Sequence, residues 1–287
     1  RRAGRPAAGP RQALGRRDWP VLTSAPMPRD TKHWMRFRRD GRVGFGLLEA
    51  DQVVVHDGDL FGERAPTGER LRVDAIEWLP PCRPSKFVCV WNNFHAAASK
   101  QGLAIPAEPL YVIKGANAYC AHGQPIRVPV SYDGRVVYEG ELGVVIGRRC
   151  ANVAPDEAAR SIFGYTCVND VTAIEIVGRD AAFAQWTRAK SFDTFGVFGP
   201  VIATGIDPTG LSVRTLLGGR ERQNFPVADM IFAPAQLVSL ISRDMTLEPG
   251  DLIACGTSLG VLPMKAGSIV EVSIEGIGTL RNEYRQQ

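Results

Sequence analysis

Short apolar runs, many of them alternating with polar residues, dominate the chain and predict a β-rich protein. Strand-like runs cover residues 87–91, 110–113, 136–146, 201–203, 252–255 and 269–274. Helical spacing is rarer and occurs at residues 155–162, 173–184 and 234–242. Because these helices do not alternate regularly with the strands, a doubly wound sheet or an eight-fold barrel is disfavoured. The pattern therefore favours a β-rich α+β fold.

The N-terminal part of the chain carries its own β pattern. Between residues 33 and 61, strand-like runs are interrupted by Asp40-Gly41 and Asp57-Gly58, dipeptides that form tight turns between strands. A proline-rich stretch at residues 80–84 then marks a linker. We predict a small β domain over residues 27–80 and a larger domain over residues 81–287, preceded by a basic tail over residues 1–26.

The positive charge is concentrated in the first 26 residues. The 287-residue chain has a formal net charge of +4, but residues 1–26 contain six arginines and one aspartate, so the remainder is nearly neutral. A nucleic-acid-binding surface on the folded part is therefore disfavoured. The Arg-, Ala-, Gly- and Pro-rich composition predicts a disordered tail. We favour an upstream extension, with the natural start at Met27, over a transit peptide or a phosphate-binding arm.

The remaining composition bears on the location of the protein. No segment approaches the run of about 18 apolar residues that a membrane span needs. The six cysteines are spread singly, without a C-x-x-C pair. This usage is typical of reduced, mostly buried thiols. We expect a cytoplasmic protein that does not bind membranes.

Two glutamates stand in the most apolar of the predicted strands. Because side chains alternate between the faces of a strand, Glu139 and Glu141 share one face and lie about 7 Å apart. Burying both carboxylates without a cation would be costly. Gly140 and Gly143 favour a central strand with close backbone approach. Two interpretations remain open on the pattern alone, a metal site and a solvent-exposed face.

A third carboxylate follows an apolar run, where Asp170 marks the end of the predicted strand. It could cap the next helix, a role that Asp fills well, or provide a third oxygen ligand. Three carboxylates without a nearby His or Cys would favour Mg²⁺, Mn²⁺ or Ca²⁺ over zinc. Lys190 lies in a neutral-to-apolar neighbourhood and could bind a substrate carboxylate or carbonyl, although a surface lysine is the simpler interpretation.

One catalytic motif is excluded by its context. Residues 256–260, GTSLG, match the G-x-S-x-G pattern of serine hydrolases. That pattern needs a helix directly after the serine and, in α/β-hydrolases, a later catalytic histidine. Pro263 prevents such a helix and no histidine follows His122, so Ser258 is not predicted to be a nucleophile. P-loop, G-x-G-x-x-G and H-E-x-x-H motifs are also missing, which excludes the corresponding nucleotide and zinc-protease classes.

Several segments together resemble the fumarylacetoacetate hydrolase family. They occur in the family's order and read YEGELGVVIG (138–147), FGYTCVNDVTA (163–173), QWTRAKSFDTFGVFGP (185–200), ADMIFAPAQLVSLISRDMTLEPGDLIACGTSLGV (228–261) and VEVSIEGIGTLRN (270–282). The resemblance covers about residues 82–284, and residues 30–62 resemble the N-terminal β module of bacterial members. It implies a mixed β-sandwich roll with a small N-terminal β domain, assembled as a homodimer.

The resemblance also implies a set of site residues. The family binds a divalent metal, which would be Mg²⁺ or else Mn²⁺ or Ca²⁺, and a small-molecule 2-oxo acid substrate. The implied residues are Glu139, Glu141 and Asp170 for the metal, and Lys190, Thr257, Gln185 and Lys114 for the substrate. Thr257 matches the loop that contacts the substrate carboxylate, and Gln185 and Lys114 match positions that line the pocket.

The chain departs from the family in a lid segment. Hydrolytic members carry N-Y-x-x-H-x-x-E, whose His-Glu pair activates water. The alignment here puts Ala97 at the position of the histidine and Lys100 at that of the glutamate. His95 lies two residues away, and on a helix that offset places a side chain on another face. His95 could therefore act as the base only in a rebuilt lid, and a polar surface role is the alternative.

The missing pair bears on the reaction. Family substrates are 2-oxo or 1,3-dicarbonyl carboxylic acids, such as those of aromatic-compound catabolism. Hydrolysis needs a base to activate water, decarboxylation needs an electron sink, and tautomerisation needs a proton shuttle, for which Lys190 or Lys100 is available. The departure thus favours decarboxylase or isomerase chemistry. An acylpyruvate-type hydrolase with a rebuilt lid and a non-catalytic ligand-binding protein remain alternatives.

Overall fold

The computed structural model describes residues 30–286. The predicted basic tail and Met27 lie outside the described residues. Within the described range, no helix is long and apolar enough to cross a membrane. All six cysteines are buried and none is in a disulfide, which confirms the prediction of free thiols.

The described chain begins with an antiparallel β meander. Its five strands are β1 (Lys32–Arg39), β2 (Arg42–Glu49), β3 (Gln52–Gly58), β4 (Arg64–Arg72) and β5 (Glu77–Leu79). Asp40 and Gly41 form the turn between β1 and β2 with φ values of 49° and 78°, as two-residue hairpin turns require. The second predicted turn is displaced, because Gly58 ends β3 and the chain reverses over residues 59–63.

The rest of the described chain adds fourteen strands and five α-helices. The strands are β6 (Phe87–Trp91), β7 (Leu110–Lys114), β8 (Tyr119–Cys120), β9 (Ile126–Arg127), β10 (Val136–Val137), β11 (Gly140–Ile146), β12 (Ile162–Asp170), β13 (Thr172–Ala173), β14 (Gly196–Thr204), β15 (Ser212–Leu217), β16 (Arg220–Pro226), β17 (Leu252–Ala254), β18 (Ile269–Ile274) and β19 (Gly278–Arg285). The helices are α1 (His95–Gln101), α2 (Pro155–Ser161), α3 (Ile174–Val177), α4 (Trp186–Lys190) and α5 (Pro234–Asp244).

Twelve of these strands form one large, mostly antiparallel sheet. The order along its main path is β4-β3-β2-β1-β14-β12-β11-β17-β6-β7, with β5 beside β1 and β8 beside β14. The meander joins the rest of the sheet through the β1–β14 pair, in which Trp34 lies opposite Ile202. The predicted division of the chain at residue 80 stays a prediction, because the strands on either side of it belong to one sheet.

A second sheet packs against the large one. Its strand order is β16-β15-β18-β19-β9, and β15, β18 and β19 contact β11, β12 and β14 of the large sheet. The core between them contains Val144 of β11, Cys167 of β12, Val213 of β15 and Val272 of β18. Strand β18 alternates buried and half-buried residues, whereas every residue of β11 is buried. This is the mixed β-sandwich roll of the β-rich α+β class that the sequence predicts, and the fold class is confirmed.

Some predicted elements differ from the observed ones. The predicted strand at 136–146 is interrupted at Tyr138 and Glu139, which separates β10 from β11. The predicted helix at 173–184 is wrong, because α3 ends at Val177 with Gly178 as its C-cap. Residues 178–184 after it are all exposed, so no packing against the core supports a continued helix there. A second short helix, α4, begins only at Trp186.

Candidate active site

Three carboxylates meet at the end of the β11–β12 pair. Glu141 lies on β11, Glu139 in the break before it, and Asp170 at the end of β12. The register sets Gly140 opposite Asn169, and the Asp170 N–H donates to the Glu139 carbonyl at 2.9 Å. Carboxylate oxygens of the three residues therefore lie within 4.8 Å of one another. We call Glu139, Glu141 and Asp170 the acidic triad.

The acidic triad is buried. Glu141 and Asp170 are each 1% exposed, and the side chain of Glu139 is 14% exposed. A solvent-exposed face is therefore the wrong interpretation of the two glutamates. A helix cap is likewise the wrong interpretation of Asp170, because α3 begins after Ala173 and has no side-chain cap.

Lys190, the last residue of α4, brings a positive charge to the acidic triad. Its Nζ donates to Glu139 Oε2 at 2.7 Å, to Asp170 Oδ2 at 2.5 Å and to Thr172 Oγ1 at 2.8 Å. Lys190 is only 3% exposed, so the surface-lysine interpretation is wrong. Burial acts to lower the pKa of Lys190, but the charges of Asp170 and Glu139 outweigh burial and raise it. The ammonium group is therefore charged at neutral pH.

Lys114, the last residue of β7, lies on the other side of Asp170. Its Nζ is 2.7 Å from Asp170 Oδ1 and donates to the carbonyls of Val171 at 3.0 Å and Lys190 at 2.5 Å. The contact with Asp170 is an ion pair and the other two are hydrogen bonds. Lys114 is also 1% exposed, and these contacts fit a positioning role. The substrate contact that the resemblance implied stays a prediction.

The negative charge of the acidic triad is not fully balanced. Burial acts to raise the pKa of Asp170, but Lys114 and Lys190 outweigh burial and lower it. Burial, followed by the charges of Asp170 and Glu139, raises the pKa of Glu141 well above its usual value. Within residues 30–286, Glu141 has no lysine or arginine at ion-pair distance, and the Gly256 N–H donates to it at 2.8 Å. When fully ionised, the triad has one negative charge more than its two lysines neutralise.

This donor set fits a divalent cation. Carboxylate oxygens are the ligands of hard ions such as Mg²⁺, Mn²⁺ and Ca²⁺. The three groups converge within 4.8 Å, and the charge on Glu141, which lacks a lysine, is the one that a cation would favour most. The acidic triad can therefore hold a divalent metal.

Thr257 is fixed against the backbone between the two glutamates. Its hydroxyl donates to the Gly140 carbonyl at 2.8 Å and accepts from Gln223 Nε2 at 2.8 Å. Gln223 Oε1 in turn accepts the Gly140 N–H at 3.0 Å. The hydroxyl can bind a substrate carboxylate only after it releases Gly140, so this role stays a prediction. Sequence reasoning missed Gln223, because its neighbours on β16 are mostly exposed and give no sign of a buried amide.

Glycine is required at residue 140 by close packing. A Cβ there would lie 2.0 Å from Thr215 Oγ1 and 3.0 Å from Gln223 Oε1. The glycine thus lets β15 and β16 approach the backbone that carries the two glutamates. The sequence-based expectation of close backbone approach is confirmed at this position.

Helix α1 presents His95 and Lys100 to solvent. Both residues are exposed, and neither side chain forms a hydrogen bond or ion pair within the part of the chain that the structure describes. Ala97, which takes the place of the family's histidine, is buried. The catalytic roles predicted for His95 and Lys100 stay predictions, without a contact to the acidic triad to support them.

The start of α1 is nevertheless tied to the site. Asn93 Nδ2 donates to the Cys255 carbonyl at 2.8 Å and to the Phe232 carbonyl at 3.1 Å. Cys255 precedes Gly256, whose N–H donates to Glu141. Asn93 thereby fixes the loop that completes the acidic triad. An isolated asparagine gives no sequence signal for such a role.

A cavity of about 670 Å³ lies beside α4, within the size range of small-molecule sites. Gln185, Trp186 and Arg188 line it, and we call it the α4 cavity. The centre of a Trp186 ring is 6.0 Å from Lys190 Nζ. Helix α4 therefore contributes both to the wall of this cavity and to the lysine at the acidic triad, and the predicted pocket residue Gln185 is half-buried in that wall.

A buried carboxylate–lysine cluster beside a cavity is typical of an enzyme active site. The chain belongs to the fumarylacetoacetate hydrolase family. The family model described as fumarylacetoacetate (FAA) hydrolase C-terminal matches residues 86–285, and the model described as Rv2993c-like, N-terminal, matches residues 32–81. These matches confirm the family that the sequence motifs indicated.

Similar proteins match this chain over most of its length. A protein of Archaeoglobus fulgidus is 42% identical over 248 residues, which cover 86% of this chain and 94% of that protein. The oxaloacetate tautomerase YisK of Bacillus subtilis is 35% identical over 256 residues, 83% of this chain and 84% of YisK. The crystal structure of 2-hydroxyhepta-2,4-diene-1,7-dioate isomerase from Mycobacterium marinum is 36% identical, with a TM-score of 0.81, and the match covers 89% of this chain and 99% of that one. Members of the family are therefore enzymes.

Proposed function

We propose that this protein is a divalent-metal-dependent enzyme that acts on 2-oxo or 1,3-dicarbonyl carboxylic acids, with isomerase (tautomerase) or decarboxylase activity. The observation that carries the proposal is the acidic triad, with three converging carboxylates and a buried lysine on two of them. A purely structural core gains little from such a cluster, because burying unbalanced charge is costly. We propose Mg²⁺ as the ion, because all three ligands are carboxylates.

In this proposal Glu139, Glu141 and Asp170 hold the ion. When bound, a divalent ion supplies electrophilic stabilisation of negative charge that develops on substrate oxygens. Lys190 orients Glu139 and Asp170 and favours the ionised form of both, because its ammonium group is within 2.7 Å of each, although burial outweighs it at Glu139 and raises the pKa of that residue. Since the pKa of Lys190 is raised, Lys190 stays protonated and can stabilise negative charge, but it gives up its proton less readily than a free lysine.

Isomerisation or decarboxylation is preferred to hydrolysis because the described chain has no base at the lid position. Ala97 stands there, and His95 and Lys100 face solvent. A positioned general base is worth about 10²–10⁴-fold in rate, which hydrolysis would lose. Among similar proteins with a stated activity, the tautomerase and the isomerase support this choice, whereas the fumarylacetoacetate hydrolase of Exiguobacterium antarcticum supports the hydrolase alternative. A hydrolase with a rebuilt lid and a non-catalytic binding protein are the alternatives.

The reaction type can be tested with three substrate classes. The purified full chain would be assayed with and without Mg²⁺ on oxaloacetate, on a 2-hydroxy-2,4-dienoate and on an acylpyruvate. We expect Mg²⁺-dependent turnover of one of the first two, reduced more than about 100-fold in Glu141→Gln. Fast turnover of the acylpyruvate alone would support the hydrolase, and no metal-dependent turnover of any of them would support the binding protein.

The predicted homodimer remains a proposal. Strand β7 ends the main path of the large sheet, and Leu110 and Ile113 on it are exposed. Edge strands and exposed apolar patches are often covered by a partner. Light scattering should then give twice the chain mass of 31.2 kDa. A monomer mass at micromolar concentration would contradict the proposal.

A further inference from the structure

The backbone between the two glutamates of the acidic triad is held largely by side chains. Glu139 lies outside β11, and its N–H donates to Asn169 Oδ1 at 3.1 Å. The Gly140 N–H donates to Gln223 Oε1 at 3.0 Å, and the Gly140 carbonyl accepts from Thr257 Oγ1 at 2.8 Å. A buried backbone group without such a partner would be costly. The position of Gly140, and with it the spacing of the glutamates on either side, therefore depends on side chains from other segments.

Gln223 is the side chain that joins these contacts. It lies on β16, and 1% of it is exposed. Besides accepting from Gly140, it donates from Nε2 to Thr257 Oγ1 at 2.8 Å and to the Ser258 carbonyl at 3.3 Å. Because an N–H of Gln223 donates to the Thr257 hydroxyl, that hydroxyl uses its own hydrogen for Gly140. One amide thus holds both backbone groups of Gly140, the N–H directly and the carbonyl through Thr257.

The segment at residues 256–260 is anchored at both ends on the chain that carries the glutamates. The Gly256 N–H donates to Glu141 at 2.8 Å, and the Tyr138 hydroxyl donates to the Gly260 carbonyl at 2.7 Å. A Cβ at Gly260 would lie 1.9 Å from a backbone oxygen of β16, so the segment also packs directly on the strand that carries the amide. Close packing on two sides leaves these residues little freedom to move.

A fixed spacing of the ligands favours the smaller of the hard cations. Mg²⁺ requires a nearly regular octahedral shell of oxygens at about 2.0–2.1 Å, whereas Ca²⁺ accepts a variable number of oxygens at about 2.3–2.6 Å. Loss of a group that orients metal ligands weakens metal binding about 10–100-fold. A less firmly held Gly140 should weaken Mg²⁺ more than Ca²⁺, because Ca²⁺ tolerates displaced ligands.

We propose that Gln223 is a positioning residue that fixes Gly140 and thereby makes the acidic triad select Mg²⁺ over Ca²⁺. In this arrangement Gln223 acts through the backbone between the two glutamates and contacts neither the ion nor the substrate. The inference rests on the proposed function, because it assumes that the acidic triad holds a divalent ion.

Titration with the metal ions alone tests the inference. The full chain would be freed of metal, and its dissociation constants for Mg²⁺ and for Ca²⁺ would be measured by titration calorimetry. Gln223→Met keeps most of the side-chain length and removes both hydrogen-bonding atoms. We expect it to weaken Mg²⁺ about tenfold or more and Ca²⁺ less than about threefold, so that the preference for Mg²⁺ falls. Gln223→Asn keeps an amide that is too short to reach Gly140 and Thr257 together, and it gives the same test if Gln223→Met does not fold.

A second buried amide controls for a general loss of stability. Asn282 on β19 is 3% exposed, and its Nδ2 donates at 2.8 Å to the carbonyls of Ala121 and Gln124. Asn282→Leu should lower the unfolding midpoint, as Gln223→Met does, but leave both metal affinities within about twofold. Equal weakening of Mg²⁺ and Ca²⁺ in Gln223→Met, an unchanged Mg²⁺ affinity, or the same loss of preference in Asn282→Leu would overturn the inference.

The proposed function is judged by separate outcomes. Wild type that binds neither ion would overturn the metal site and the inference with it. Wild type that binds Mg²⁺ but turns over no 2-oxo acid would overturn only the enzyme proposal. Metal-dependent turnover, together with an unchanged preference for Mg²⁺ over Ca²⁺ in Gln223→Met, would overturn only the inference.

Discussion

Lys114 offers the sharpest test of how the acidic triad is held together. Its ammonium is 2.7 Å from Asp170 Oδ1 and donates to two backbone carbonyls, all in a buried setting. Lys114→Met keeps most of the side-chain volume and removes the charge. Removing one partner of a buried ion pair costs about 3–5 kcal/mol, and here it leaves Lys190 as the one lysine among the described residues that balances the ionised triad. At roughly 2–4 °C per kcal/mol, the unfolding midpoint should fall by about 6–20 °C in EDTA.

The same variant should respond more strongly to metal. Without Lys114, the fully ionised triad has two negative charges in excess instead of one, so a divalent cation is held more tightly. Mg²⁺ should therefore raise the unfolding midpoint of Lys114→Met by more than it raises that of wild type, since binding to the native state stabilises it. Calorimetric scans with EDTA and with Mg²⁺ measure both effects.

A surface lysine provides the control for this experiment. Lys265→Met removes an exposed ammonium group and should change the unfolding free energy by less than about 0.5 kcal/mol. If Lys114→Met in EDTA were as stable as this control, Lys114 would not be the buried counter-ion described above. A raised KM with unchanged stability would instead support the substrate contact implied by the family resemblance.

Three further predictions concern the triad and the lid. Gly140→Ala places a Cβ 2.0 Å from a buried hydroxyl, so the free energy of unfolding in urea should fall by about 1–3 kcal/mol. The control Gly210→Ala has nothing within 4 Å of its Cβ and should change this free energy by less than about 0.5 kcal/mol. The pKa of Glu141 is raised in the folded protein. Metal-free wild type should therefore lose stability as the pH rises from the usual pKa of a glutamate to the raised pKa of Glu141. Glu141→Gln should remove this dependence of stability on pH and should be more stable than wild type at pH 7 when both are metal-free. Thermal scans from about pH 5 to pH 8 measure this, and a less stable Glu141→Gln would contradict the reasoning. His95→Ala and Lys100→Ala should each change kcat less than about twofold, because both side chains are exposed, and a 100-fold loss in either would support a rebuilt lid.

The sequence allowed the fold and the identity of the acidic residues to be predicted. The apolar pattern defined strands such as β6 and β18 with the observed bounds. Strand β6 is a continuous apolar run and is buried at four successive residues, whereas burial alternates along β18. The pair Glu139 and Glu141 within an apolar strand was recognisable as unusual on composition alone. The burial of the pair could not be predicted, because it depends on which other segments of the chain pack against that face of the strand.

The lysines were harder to interpret for the same physical reason. Lys114 and Lys190 are 76 residues apart in sequence and meet only because β7 and α4 pack together around Asp170. A single lysine in a sequence does not reveal whether its partner is water or a distant carboxylate. Gln223 and Asn93 escaped prediction likewise, because their hydrogen bonds connect segments 34 and 162 residues apart.

The β1–β14 pair has a consequence for how the molecule can be dissected. Cutting the chain back to the part that matches the hydrolase C-terminal domain would remove β1. Residues 202–204 of β14 would then lack the strand with which they pair on that side. It would also uncover Ile202 and Phe198, which share a cluster with the buried Trp34. Strand β14 borders β12, the strand that carries Asp170. Expressed alone, that fragment would have an unpaired, apolar edge strand directly beside the strand that carries Asp170. We expect the fragment to aggregate and to be insoluble.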